Sequence, residues 1–61
     1  MRWEILDEVR ASELGIWIAD TGSNAFLVFD MKDMPKGMTY EEFMEYIQRE
    51  KIVRRREDGE D

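Results

Sequence analysis

The stretch that decides the fold is Gly15-Ile16-Trp17-Ile18-Ala19-Asp20-Thr21-Gly22-Ser23-Asn24-Ala25-Phe26-Leu27-Val28-Phe29. Two short runs, Gly15 to Ala19 and Ala25 to Phe29, are rich in β-branched and aromatic side chains, which fit the pleated surface of a strand. Between them, Asp20 to Asn24 is a cluster of turn formers: Asp and Asn bond their own backbone, and glycine takes positive φ without penalty. The pattern predicts a β-hairpin with a four- or five-residue loop.

Neither run alternates between apolar and polar. Ile16 and Ile18 point one way, Trp17 and Ala19 the other. On the second run Phe26 and Val28 oppose Leu27 and Phe29. Strands that are apolar on both sides normally have both faces covered.

Working outward, Trp3, Ile5, Val9 and Ala11 fall on odd positions and Arg2, Glu4, Glu8 and Arg10 on even ones. A period of two reads as a strand over residues 2–11, with Leu6 and Asp7 breaking the alternation at a bulge. A helix stays open as the alternative, because Ile5 and Val9 are four apart and Glu, Leu and Ala favour helices. Ser12 to Gly15 then turns the chain into the hairpin.

Downstream, Pro35 and Gly37 interrupt any regular element in Asp30 to Gly37. Thr39 with Glu42 forms a capping box, and Met38 with Phe43 stands at the hydrophobic-staple positions. Tyr40, Phe43, Met44 and Ile47 make one apolar stripe, predicting a helix over about Tyr40 to Glu50. Ile52 and Val53 sit off that stripe. Residues 51–56 read as a short edge strand whose arginines discourage aggregation, with a frayed helical continuation as the alternative.

The expected fold is small α+β. It is an antiparallel β-meander of three strands, with a short fourth strand, and one helix packed on one face. Residues 1–56 form the domain and 57–61, acidic and without an apolar residue, a disordered tail. At 61 residues, the chain buries only about 60 % of its unfolded surface, so the core is marginal.

Composition excludes several chemistries. The chain has no cysteine and no histidine, which removes thiolate and imidazole metal ligands and every nucleophile that depends on an adjacent imidazole. The glycines at 15, 22, 37 and 59 are scattered, so no phosphate-cradling loop is present. Neither a cofactor nor a metal is expected. Early acids argue against a signal peptide, and no apolar stretch approaches the roughly 20 residues of a membrane span. The expected setting is cytoplasmic, with no membrane contact.

Asp20-Thr21-Gly22 resembles the catalytic loop of pepsin-like aspartic proteases. The resemblance implies Asp20 as a catalytic carboxylate, completed by the same residue of a second copy. Two such carboxylates close together divide into an acid and a base. The same tripeptide is also an ordinary hairpin turn, and the rest of the chain supplies no substrate cleft or flap. Gly37-Met38-Thr39-Tyr40-Glu41-Glu42, after short strands, resembles small bacterial antitoxins of the HicB type, although the Pro-Gly-Cys segment of that family is missing.

Charge is uneven. Acids number 15 and bases 9, a net of −6, which disfavours bulk attraction to nucleic acid. Five of the bases, Arg49, Lys51, Arg54, Arg55 and Arg56, fall within residues 49–56.

The reading that follows is a small acidic, non-enzymatic regulatory or inhibitory protein acting by protein–protein contact, of phage, mobile-element or antitoxin-like kind. Its partner is another protein or a second copy of itself. The expected contact residues are Trp17, Leu27 and Phe29. Arg54, Arg55 and Arg56 are the candidates for contact with an acidic partner or, as the alternative function, for gripping nucleic acid, with Trp3 or Tyr46 stacking on bases.

Overall fold

The computed structural model describes residues 1–57. Chain order is β1 (Arg2–Ile5), α1 (Glu8–Glu13), β2 (Trp17–Asp20), β3 (Ala25–Val28), α2 (Tyr40–Arg49) and β4 (Val53–Arg56), with a 3-10 turn at Met31–Asp33. The strands form one open sheet in the order β2-β3-β1-β4. The fold is α+β, one sheet with one main helix.

The hairpin forms as expected. β2 and β3 pair antiparallel in the register Trp17↔Val28, Ile18↔Leu27, Ala19↔Phe26 and Asp20↔Ala25. The loop is closed by the Thr21 amide donating to the Asn24 carbonyl at 2.8 Å and by Gly22 at φ 92°.

The first strand differs from the expectation in two respects. It ends at Ile5, and residues 8–13 are helical. Asp7, expected in a bulge, is instead the N-cap: its carboxylate accepts the Arg10 amide at 3.1 Å. An acid that satisfies an orphan amide at a helix N-terminus is a helix signal that competes with the two-residue periodicity over so short a run. The strand also does not lie beside β2 in a meander. It inserts between β3 and β4, parallel to β3 at Arg2↔Ala25 and antiparallel to β4 from Arg2↔Arg56 to Ile5↔Val53. The sheet is therefore mixed. Residues 53–56 form the fourth strand rather than a helical extension. Of the expected tail, only Glu57 lies within the described residues.

Both helices stop by the same device. Ile16 donates to the Ala11 carbonyl and Gly15 to that of Ser12. Ile52 donates to Ile47 and Lys51 to Gln48. Each is a Schellman motif: a left-handed residue follows the helix, and an apolar contact joins the residue beyond it to the last turn. The left-handed residues are Gly15 (φ 71°) and Lys51 (φ 58°).

The core is Ala11, Ile16, Phe43, Ile47, Ile52 and Val53, with Trp3, Ile5, Leu14, Leu27, Phe29, Met34, Met38, Met44 and Tyr46 packed on it. Of the expected α2 stripe, Phe43 and Ile47 are fully buried and Met44 is partly buried against the core, whereas Tyr40 at the start of the helix is exposed. The capping box is complete: Thr39 Oγ1 accepts the Glu42 amide at 3.1 Å and Glu42 accepts the Thr39 amide at 2.9 Å. Arg10 clamps α1 to the end of α2 by donating to the Tyr46 hydroxyl at 3.3 Å and the Glu50 carboxylate at 3.4 Å.

Candidate functional site

Directly opposed residues of an antiparallel pair share a face. The β2–β3 register therefore sorts the hairpin into two sets. Ile18 and Leu27 share one face; Trp17, Ala19, Phe26 and Val28 share the other. Leu27 and Phe29 pack on the core. The Phe29 ring lies 4.9 Å from Phe43 and 5.8 Å from Tyr40, centroid to centroid.

The three expected contact residues are thus divided. Trp17 is exposed, whereas Leu27 and Phe29 turn inward under α2. The residue that shares the Trp17 face is Phe26, which the sequence reading passed over. The signal that finds it is the hairpin register: a four-residue loop places Trp17 opposite Val28 and Ala19 opposite Phe26, so an odd-numbered residue of β2 shares its face with even-numbered residues of β3. Trp17 stands 54 % exposed and Phe26 44 %. Two large aromatics on adjacent strands, separated by one rung, leave an apolar patch on the solvent side of the hairpin.

Asp20 is committed to the turn. Its carboxylate accepts the Gly22 amide at 2.7 Å and a guanidinium N–H of Arg2 at 2.9 Å. The Gly22 amide, and then Arg2, hold its pKa below the ordinary carboxylate value. The Asp-Thr-Gly segment is built here as a hydrogen-bonded loop tied to β1, with the carboxylate neutralised by an arginine.

The basic segment lies at the β4 edge of the sheet, opposite the β2 edge. Its arginines are partly engaged: Arg54 pairs with Glu4 across the strands, and Arg55 pairs with Glu57. Arg56 makes no ion pair among the described residues. Trp3 and Tyr46 are partly buried against the core, with Trp3 directly opposite Arg55 in the β1–β4 pairing. Beside this edge a groove of about 430 Å³ is lined by Leu6, Gln48, Lys51, Val53, Arg54 and Arg55.

Among the described residues, no group of acids is arranged to hold a metal ion, and no helix is long and apolar enough to cross a membrane. No family model, curated protein or solved structure matches the chain.

Proposed function

We propose that this chain is a non-enzymatic regulatory or inhibitory protein that works by protein–protein contact through the solvent face of its hairpin. The observation that carries the reading is the pairing of Trp17 and Phe26, both about half exposed on one face of β2–β3. Fully burying a large apolar side chain is worth about 1.5–3 kcal/mol, so finishing the burial of these two half-exposed rings offers roughly the same amount in total before association costs. Ala19 and Val28 flank them and extend the apolar surface. Aromatic anchors of this kind dominate interface energetics. The acidic balance of −6 favours a basic partner and steers its approach. The class assignment, adaptor of phage, mobile-element or antitoxin-like kind, rests on size and charge together with this face.

The test is site-specific photocrosslinking. The chain carries Trp17→p-benzoylphenylalanine in its natural host cytoplasm, with the same probe at Glu45, an exposed position on α2, as the control. The reading expects one dominant protein adduct from position 17, either to a second copy or to another protein, which Phe26→Ala removes and position 45 does not form. A diffuse set of adducts, unchanged by Phe26→Ala, overturns it.

A further inference from the structure

We propose that the groove at the β4 edge is a second docking site, which takes an extended acidic segment of a partner protein. It is separate from the Trp17–Phe26 face, since β2 and β4 are the two opposite edges of the sheet.

The floor of the groove is apolar, made by Leu6, which is 48 % exposed, and by the edge of Val53. The rim is cationic: Lys51, Arg54 and Arg55. In a chain of net charge −6, the groups lining this groove include three cations and no acid. The two arginines already show which group they take. Arg54 holds the carboxylate of Glu4 and Arg55 that of Glu57. Such exposed pairs contribute little stability, so incoming carboxylates can exchange with them at little cost.

Backbone geometry favours an extended occupant. The Leu6 amide donates to the Ile52 carbonyl at 2.8 Å, and β1 and β4 continue in that register as Glu4↔Arg54 and Arg2↔Arg56. Hydrogen-bonded pairs alternate in an antiparallel ladder, so the N–H and C=O of Arg55 point away from β1, out of the sheet edge. A strand laid there gains backbone bonds as well as ion pairs. The arginines repel a second β4 edge and admit an acidic strand, so one feature sets both exclusion and choice. Lys51 adds its own indication, since it holds a left-handed conformation (φ 58°) where glycine costs least, which places an ammonium on the rim.

A single-stranded nucleic acid is the competing occupant. The lining has no aromatic side chain for bases to stack on.

The experiment is a titration of full-length protein with a fluorescein-labelled synthetic decapeptide of alternating Glu and Val, followed by anisotropy and by amide hydrogen exchange. A Lys–Val peptide and a labelled oligothymidylate serve as comparisons. The expected result is saturable binding of the Glu–Val peptide that weakens about tenfold in Arg54→Ala/Arg55→Ala and falls with salt. The Arg55 amide should gain protection on binding. Trp17→Ala should bind normally, which keeps this result separate from the fate of the hairpin face. Because the arginine variant removes ion pairs, its circular dichroism is compared with wild type, and Lys51→Gln, which touches no ion pair, must also weaken binding. Absence of binding, equal binding of the Lys–Val peptide, tighter binding of oligothymidylate, or no change at Arg55 each overturns the proposal.

Discussion

Gly15 and Lys51 occupy the same place in two copies of one device: each is the left-handed residue that ends a helix and turns it directly into a strand. Beyond each lies a buried isoleucine, Ile16 or Ile52, whose amide reaches back to the last helical turn. The chemistry of the two positions differs, and so do their mutational consequences.

At Lys51 the left-handed conformation carries a penalty that glycine lacks, partly offset by the greater freedom of glycine in the unfolded chain. Lys51→Gly should therefore stabilise the fold by about 0.5–1 kcal/mol. At Gly15 a Cβ would incur that penalty and also stand 2.9 Å from the Asp33 carboxylate oxygen. Gly15→Ala should destabilise by about 1–2 kcal/mol. Urea unfolding followed by circular dichroism checks both, with opposite displacements of the midpoint expected at unchanged slope.

Phe43 and Phe26 offer a contrast within one residue type. Phe43 is 0 % exposed beneath Phe29, whereas Phe26 is 44 % exposed on the far side of the hairpin. Phe43→Ala should cost about 3–5 kcal/mol, most of the stability expected of so small a domain. The variant should be largely unfolded near room temperature. Phe26→Ala should cost about 1 kcal/mol and leave a cooperative melt. Thermal denaturation compares them directly, and equal losses would mean that the Phe26 ring is structural rather than available for contact.

Two carboxylates make the fold sensitive to acid. Asp20 is held below its ordinary value of 3.8, by the Gly22 amide first and Arg2 second. Glu42 is held below its ordinary value of 4.5 by the Thr39 amide and side chain. A carboxyl with a depressed folded-state pKa contributes stability above its unfolded value, and that contribution fades as pH falls through the folded value. Stability should thus be flat above the carboxylate range and decline below it. Asp20→Asn with Glu42→Gln should lower the neutral-pH plateau and flatten the acidic limb, measured as urea midpoint against pH. A slope unchanged by both substitutions would show that these bonds do not form in solution.

Local chemistry was enough, without any tertiary information, to specify the hairpin and the capped helix α2, whereas the loop length within four or five residues and the choice of strand over helix for residues 51–56 were left to the sheet pairing. Asp20, Gly22, Thr39 and Glu42 act on backbone within three residues of themselves, so their meaning is written in the chain. The absence of histidine and cysteine, and the crowding of cations into residues 49–56, are likewise complete in one dimension. Three-dimensional packing decided where those pieces go. Residues 2–13 carry both a two-residue period and an Asp7 cap. Strand and helix signals of similar strength are separated only when Ile5 and Ala11 are both drawn toward one core. The place of β1 between β3 and β4 depends on pairings of residues more than twenty apart, such as Arg2 with Ala25. The division of Trp17 from Leu27 and Phe29 has the same origin, because a hairpin that is apolar on both sides does not announce which side the helix will cover.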